Sequence, residues 1–329
     1  MVREFLKGIL FISLFCSCEK EFVFSQELID ADPILLAESE YIVVLGDIQE
    51  YTEHPQYYSY LKHTMNWLWS QKQHGLPVNC ILQVGDVTNH NAIYQWTNFH
   101  ECTAPSAEDI LYVTCTGNHD YDWVDNGFID DRASTHINEF AGFPHTKANI
   151  IAYFEPNKLE NIVVANTIHG EPFDLLILEF GPRTEVLAWA NDYVASRPDR
   201  KFILMTHEFL TTKGKRIEAN SYAEQQFRNT TTSSPEQVWQ QLVKNNDNIV
   251  CVLCGHNGFS AQLFSENSAG RKVPQILFNL QYQSNGGDGW VQLWEFPAYG
   301  DSVSVSVYNT IRREVHPDPA TAFKFRYRY

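Results

Sequence analysis

Five short groups in the sequence bring together carboxylate, amide and imidazole side chains, which are ligand types for Zn²⁺, Mn²⁺ or iron in proteins. In chain order the groups are Asp47-Ile48-Gln49, Gly85-Asp86-Val87-Thr88-Asn89, Gly117-Asn118-His119-Asp120, Thr206-His207 and Gly255-His256. A carboxylate can be shared between two cations, so this combination of residue types suits a pair of ions. The pattern therefore predicts a dinuclear metal site.

Each group follows an apolar run rich in Val, Ile and Leu, which is the pattern of a buried strand. The runs cover residues 41–45, 80–84, 110–116, 201–205 and 249–254. In open α/β sheets, ligands bind beyond the carboxyl ends of the strands, so we expect the five groups to meet there. The alternative is a core of satisfied polar residues, but charged groups buried at five strand ends would be costly without a metal or a partner.

Taken together and in this order, the groups resemble the motifs of the calcineurin-like metallophosphoesterase superfamily, in the branch that contains purple acid phosphatases and cyclic-nucleotide phosphodiesterases. The resemblance covers residues 41–309. It implies an α/β fold, a four-layer α/β/β/α sandwich of two mixed sheets with the metal site at the carboxyl ends of the strands. It also implies a metal-dependent hydrolase of phosphomonoesters or phosphodiesters that uses two divalent ions, whether Zn, Mn, Fe or Mg.

The resemblance assigns roles to individual residues. Those that would bind metal are Asp47 and Gln49 at a first position, Asp86 as a bridge between two ions, and Asn118, His207 and His256 at a second position. A hydroxide shared by the ions would attack phosphorus in line with the leaving oxygen. His119 would donate a proton to that oxygen or stabilise it, and Asn89 would orient His119.

Two residues depart from the family pattern, and both belong to the first position. Gln49 stands where the family has a histidine, and Gly258 stands where the family has the second histidine of Gly-His-x-His. Gln49 can still coordinate through its carbonyl oxygen. The first position could therefore be looser, bind Mg²⁺ or Mn²⁺ with extra waters, or take a ligand such as His90 or Asn257. These departures keep a second hypothesis open, a non-catalytic or weakly active binding lipoprotein that retains this fold.

The composition limits the partners. The 329 residues carry a formal net charge of −16, which argues against a nucleic-acid-binding surface. A chain of this length can bury one large core, and no break in composition indicates a second domain. The expected partner is a phosphate-ester small molecule or a lipid or sugar phosphate, and the oligomeric state stays open.

The N-terminus is typical of a bacterial export signal, which we assign to residues 1–17. Arg3 and Lys7 precede the apolar run 8–15, which is too short to span a membrane as a helix. A small residue directly before Cys18 resembles a lipoprotein signal, in which that cysteine is lipidated. We therefore expect an exported protein that is lipid-anchored in the bacterial cell envelope, in the periplasm or at the cell surface. An ordinary cleaved secretory signal is the alternative.

The rest of the chain divides into a tether over 18–38, the phosphoesterase domain over 39–313 and a C-terminal tail over 314–329. The tail alternates aromatic and basic residues, which predicts an edge strand protected by charge. The long loop after His207, over 208–232, is expected to act as a lid.

Two further expectations concern this domain. The second sheet is predicted to contain apolar or alternating runs at 150–154, 162–165, 175–180, 275–280, 290–296 and 302–308. Within the long loop, Lys213, Lys215 and Arg216 either contact a distal anionic group of a substrate or form a solvated basic turn.

Overall fold

The computed structural model describes residues 28–328. The predicted signal peptide and the predicted lipidation site Cys18 lie outside the described residues. Numbered along the chain, the strands are β1 Glu40–Leu45, β2 Val78–Gln83, β3 Leu111–Thr114, β4 Ile150–Tyr153, β5 Ile162–Val164, β6 Thr167–Ile168, β7 Glu171–Ile177, β8 Lys201–Met205, β9 Ile249–Cys254, β10 Phe259–Glu266, β11 Lys272–Asn279, β12 Trp290–Phe296, β13 Ser302–Asn309, β14 Glu314–Val315 and β15 Phe323–Arg326.

The helices alternate with the strands in the first two thirds of the chain. They are α1 Gln49–Glu53, α2 Tyr58–Gln73, α3 Ile93–Ala107, α4 Ile137–Phe140, α5 Pro144–Asn149, α6 Thr184–Ala195, α7 Tyr222–Gln226 and α8 Pro235–Val238, the last of which continues as a π-helical turn over Trp239–Val243. Ser234 begins α8, because its hydroxyl accepts from the main-chain N–H of Gln237 and the Gln237 side chain accepts in return from the Ser234 N–H. Among the described helices, none combines the length and apolar character that crossing a bilayer requires.

Two mixed sheets form the centre of the molecule. The first has the strand order β14-β13-β12-β1-β2-β3, with β15 also paired to β13. The second has the order β10-β11-β9-β8-β7-β5-β4, with β6 also paired to β7. In each sheet a parallel core, β1-β2-β3 or β7-β8-β9-β11, is flanked by antiparallel strands.

The two sheets pack face to face, and helices cover their outer faces. Apolar residues of α2 recur at helical spacing, at Leu61, Met65 and Leu68, and they join a core that also contains residues of both sheets. A separate apolar cluster lies between the second sheet and the helices α6 and 235–243. Strands covered on both faces are apolar throughout, as in β9, where all residues are buried. The predicted four-layer α/β/β/α architecture is confirmed.

The assignment of two strands to the second sheet was wrong. β12 pairs with β1, with Val43 opposite Leu293, and β13 pairs with β12, so both belong to the first sheet. Of the three C-terminal strands expected in the second sheet, only β11 lies there. Alternation along a strand indicates which residues face a core, but it carries no information on which strand lies beside it.

The prediction of a tether also needs correction, because the described part of that segment packs on the domain. Asp32 is buried, and its carboxylate accepts hydrogen bonds from Trp67 Nε1 at 3.2 Å and from the Tyr308 hydroxyl at 2.6 Å. Its main-chain N–H donates to Gln71 Oε1 at 2.7 Å. At the other end, β15 pairs with β13 and buries Phe325, so the tail is an edge strand of the domain.

Candidate metal centre

Strand ends from both sheets meet at one buried centre. Asp47, Asp86 and Asn118 follow β1, β2 and β3 of the first sheet, and His207 and His256 follow β8 and β9 of the second. His207 Nε2 lies 3.2 Å from Asp86 Oδ2, and His256 Nδ1 lies 3.0 Å from Asn118 Oδ1. The main-chain N–H of His256 donates to Asp47 Oδ1 at 3.2 Å. The structure therefore brings these five predicted ligands into one cluster.

Two glycines make room for the Asp86 carboxylate. Gly85 has φ +94° and Asp86 has φ +50°, so the chain turns sharply after β2 in a conformation that favours glycine. At Gly117, any side chain would collide with the Asp86 carboxylate and main chain. The main-chain N–H of His119 then donates to Asp86 Oδ1 at 3.0 Å. These contacts explain why glycines precede both Asp86 and Asn118.

The two histidines of the second position differ in how they are fixed. His207 is completely buried, and its Nδ1 donates to the main-chain oxygen of Val84 at 2.7 Å, which directs Nε2 towards Asp86. His256 adopts φ +67° at the end of β9, and its Nδ1 lies 3.3 Å from His207 Nε2. Ligand atoms of Asp86, His207 and His256 all lie within 4.8 Å of one another. This spacing suits one ion bound by two imidazoles and a carboxylate.

At the first position, Asp47 is fixed by the end of β11 and the residues directly after it. Asn279 Nδ2 donates to Asp47 Oδ2 in a short hydrogen bond, and Gln281 Nε2 lies 3.4 Å from the same oxygen. Gln49 begins α1 and is buried, and its Oε1 has no hydrogen-bond partner among the described residues. A buried carbonyl oxygen without a partner is a site at which a cation fits.

Neither substitute ligand considered from the sequence contacts Asp47 in the described structure. The side chain of His90 is 60% exposed, and its Nε2 lies 3.4 Å from Glu53 Oε1. Asn257 lines the cavity over the centre, but its side-chain amide donates to the main-chain oxygen of Leu210 at 2.9 Å. The place left open by Gly258 is therefore not filled by either residue.

Burial and the charges of neighbouring side chains shift the pKa values of the centre. Burial raises the pKa of Asp47 well above its ordinary value, although attraction to His207 opposes this shift. Burial alone would lower the pKa of His207, but Asp86 more than compensates and raises this pKa to about 10. Burial and the charge of His207 lower the pKa of His256 to about 3. Protons and divalent cations would therefore compete for the same carboxylates and imidazoles.

Metal loading of the protein is expected to release protons. His207 has a pKa of about 10 and is protonated at pH 7, so it must lose its Nε2 proton before that atom can bind an ion. The apparent affinity for Mn²⁺ should rise by about tenfold per pH unit for each proton released. Calorimetric titrations between pH 6 and 8, in buffers of different ionisation enthalpy, would measure both effects, with His136→Asn, which changes a partly exposed histidine outside the predicted ligand set, as a control. An affinity that does not change with pH would contradict this account.

His119 is oriented by Asn89, but through the main chain and not through the side chain. His119 Nδ1 donates to the Asn89 carbonyl oxygen at 2.9 Å, whereas the Asn89 side chain donates to Glu53 in a short hydrogen bond. The His119 ring also packs on Trp123, with ring centres 4.5 Å apart. Because the carbonyl can only accept, Nδ1 carries a proton and Nε2 is the nitrogen that can exchange one with a ligand.

An open cavity of about 370 Å³ lies over the centre. Its lining includes Gln49, Asp86, Asn118, His119 and His256. Exposed aromatic rings form much of its rim, namely Trp123, Tyr222, Phe259 and Tyr282. The centre is therefore accessible to a ligand of small-molecule size.

The long loop after His207 contributes to this cavity, but its basic residues do not. Tyr222 begins α7, whose start is fixed by Ser221, and Glu208 accepts main-chain hydrogen bonds from the same turn. Arg216 forms an ion pair with Glu236 on another surface and, like Lys213 and Lys215, does not line the cavity. The prediction that these cations contact a substrate bound here is not supported.

Sequence reasoning missed several residues of the centre. Asn279 is the last residue of the apolar strand β11 and Gln281 lies two residues beyond it, so the rule that found the five groups at strand ends, applied once more, would have found them. The aromatic rim gives no comparable signal, since isolated aromatic residues in loops occur throughout the chain.

The chain matches the model of one protein family, described as calcineurin-like phosphoesterase, over residues 41–270. A curated relative is the protein YvnB of Bacillus subtilis (strain 168), which is described as uncharacterized. It is 25% identical over 294 residues, which cover 84% of this chain and 20% of that protein. This chain thus spans about a fifth of the length of the curated relative it matches.

Solved structures with similarity to the chain include two from Thermus thermophilus. One is a 5'-nucleotidase precursor, with a TM-score of 0.45, 13% identity, and coverage of 87% of this chain and 54% of that one. The other is the sulfate thiohydrolase SoxB, with a TM-score of 0.42, 11% identity, and coverage of 78% and 44%. A 5'-nucleotidase from Candida albicans has a TM-score of 0.41 and 10% identity, with coverage of 87% and 52%.

Proposed function

Because this chain belongs to the calcineurin-like phosphoesterase family, we propose that it hydrolyses a phosphate ester in a reaction that requires two divalent metal ions. The observation that carries the proposal is the meeting of Asp86 with His207 and His256 beneath an open cavity. Asp47, Gln49 and Asp86 would bind at the first position, and Asn118, His207, His256 and Asp86 at the second. When bound, the ions supply an activated water and bind the phosphoryl oxygens.

The remaining steps belong to side chains of this protein. The hydrogen bond from His119 Nδ1 to Asn89 and the contact with Trp123 fix the imidazole ring. His119 then protonates the departing oxygen through Nε2, which requires the doubly protonated ring before the reaction. The main-chain N–H of His119 donates to Asp86 Oδ1, which holds the main chain of His119 beside that carboxylate.

The cavity supports a small phosphate ester as substrate. No lysine or arginine is found among the described residues that line it, so the proposed metal ions would be the main partners of the phosphoryl charge there. The aromatic rim offers flat, partly apolar surface to the organic part of the ester. A substrate with several further anionic groups would find no counter-charge in this lining.

The proposal is tested by metal analysis together with turnover. The purified protein, loaded with Mn²⁺, Zn²⁺, Fe²⁺ or Mg²⁺, is expected to bind two equivalents of metal and to hydrolyse nitrophenyl phosphate mono- or diesters. Chelation should remove the activity, and the same ions should restore it. Absence of both metal and turnover with every ion would instead support the non-catalytic binding protein.

We further propose that the protein is exported and lipid-anchored in the bacterial cell envelope through Cys18. The support is in the sequence: two basic residues, an apolar run and a small residue before the cysteine. Cys18→Ala is expected to move the protein from the membrane fraction to the soluble fraction, because removal of the lipid chains removes the burial of their methylene groups. Cys16→Ala serves as the control and should leave the partitioning unchanged. If Cys18→Ala stays with the membrane, the anchor is not at this residue.

A further inference from the structure

Two buried glutamine oxygens at the metal centre have no partner. Gln49 is 6% exposed and Gln281 is 4% exposed. The Oε1 atom of each makes no hydrogen bond with any described residue. Leaving a buried acceptor unsatisfied is costly, so such atoms in native proteins are normally paired with protein, water or an ion. The Gln49 oxygen therefore calls for a ligand, and the Gln281 amide is left without a partner on its oxygen while its nitrogen faces Asp47.

Both side chains lie at the first metal position, where the sequence departs from the family pattern. Gln49 is two residues after Asp47, and Gln281 Nε2 is 3.4 Å from Asp47 Oδ2. Asn279 ties the two segments together, since its Nδ2 donates to Asp47 and its Oδ1 accepts from the main-chain N–H of Gln281 at 3.0 Å. Asn279 thus holds both Asp47 and the main chain of Gln281 in position.

Position 258, where the family has a histidine, cannot supply a metal ligand in this protein. Gly258 has no side chain, and a Cβ atom at this position would collide with the ring of Tyr282. Tyr282 is the direct neighbour of Gln281 in the chain. The segment whose tyrosine ring lies against position 258 is therefore the one that brings the Gln281 amide to Asp47.

We propose that Gln281 is a ligand of the first metal position and that, together with Asp47, Gln49 and the shared Asp86, it makes this position an all-oxygen site. This assignment rests on the proposed function, because it concerns one of the two ions required there. The amide of Gln281 presents Oε1 to Asp47 after a half-turn about its last side-chain bond, a torsion with a broad and nearly two-fold preference. The nitrogen and oxygen of the amide then exchange places.

The two positions consequently select different ions. The second position has two imidazoles, which favour Zn²⁺ or iron, whereas carboxylate and carbonyl oxygens favour Mg²⁺ or Mn²⁺. The first position also has little charge, since its two glutamines are neutral and Asp86 is shared. Affinity at oxygen sites falls as the number of charged ligands falls. The first ion is therefore a hard cation that exchanges readily, next to a tightly bound borderline ion.

The assignment is tested without relying on activity by titrating the metal-free protein with Mn²⁺. Binding is measured by calorimetry and by electron paramagnetic resonance. The wild-type protein is expected to show a tight and a weak site. Gln281→Leu should raise the dissociation constant of the weak site by at least about 10–100-fold, the loss that even outer-sphere partners of a metal ligand produce. The tight site should change little.

Two further variants make the test decisive. Gln281→Glu keeps an oxygen ligand and adds charge, so the weak site should bind Mn²⁺ at least about tenfold more tightly. Gln283→Leu is the matched control, since this glutamine lies two residues further on and is exposed, and it should change neither site.

The outcomes separate the ligand assignment from the proposed function. If folded Gln281→Leu binds Mn²⁺ as the wild type does, or loses the tight site instead, the assignment is wrong while the two-metal function stands. If Gln281→Leu does not fold, an unchanged or weakened weak site in Gln281→Glu overturns the assignment. If the wild-type protein binds no divalent ion at all, the proposed function fails and the assignment fails with it.

Discussion

Asp86→Asn is expected to lower turnover by at least about 10³-fold and to remove metal binding at the same time. In the proposed dinuclear centre the carboxylate of Asp86 is the group that both metal positions would share, and a neutral amide cannot bridge two cations in its place. A loss of about 4 kcal/mol of transition-state stabilisation corresponds to this factor, at 1.4 kcal/mol for each tenfold change. Metal analysis and turnover of a nitrophenyl phosphate ester measure the two effects on the same sample.

The matched control for this variant is Asp174→Asn. Asp174 is also a completely buried aspartate, and it has a cationic partner, Arg200. It lies outside the metal centre, in β7 opposite Phe202, which is five residues before His207 in the chain. Asp174→Asn should cost stability through the broken ion pair, yet keep metal content and the turnover of the folded fraction. If Asp86→Asn retained full activity, the dinuclear assignment would be untenable.

His119→Asn is expected to keep the metal content near normal while lowering the turnover of esters with poor leaving groups by about 10²–10⁴-fold. A proton donor matters most when the departing oxygen is basic, so activated aryl esters should be affected much less. The structure supports separate roles for the neighbouring residues, since Asn118 Oδ1 faces His256 whereas the His119 ring faces Asn89 and Trp123. Plots of log kcat against leaving-group pKa for the wild type and the variant measure the effect as a change in slope.

Two further variants serve as controls for this interpretation. His90→Asn changes an exposed histidine near the same loop and should leave the slope unchanged. Asn118→Ala should instead depress all substrates alike, with partial recovery in excess Mn²⁺, because mass action refills a weakened site. Loss of metal in His119→Asn, or equal losses for good and poor leaving groups, would assign His119 a different role.

The sequence predicted the strands of the parallel cores and the groups at their ends, because each of these depends on a local pattern. Apolar runs that stop at Gly85 or Gly117 indicate a strand end, and the glycines themselves follow from the space that Asp86 needs. The pairing of β12 with β1 was not predictable in this way, since residues 41–45 and 290–296 are brought together only by the completed sheet.

Details of the centre escaped prediction for a related reason. The family pattern places a side chain at Asn89 near His119, but the structure uses the Asn89 carbonyl, which every residue type has. Gln281 became visible only when its buried amide was found with Nε2 beside Asp47 and with no partner for Oε1 among the described residues. A pattern of residue types cannot show which of two neighbouring atoms, one in the main chain and one in the side chain, makes the contact.

The centre receives its residues equally from both halves of the sandwich. Asp47, Asp86 and Asn118 come from three strand ends of one sheet, and the histidines and Gln281 come from three strand ends of the other. Bound ions would act there as a removable cross-link, joining segments as far apart in the chain as 234 residues. An ion at a hundred times its dissociation constant adds about 2.7 kcal/mol to the free energy of unfolding. Chelation would therefore loosen the sandwich first along this edge, where amide hydrogens should exchange with solvent before those at the opposite ends of the same strands.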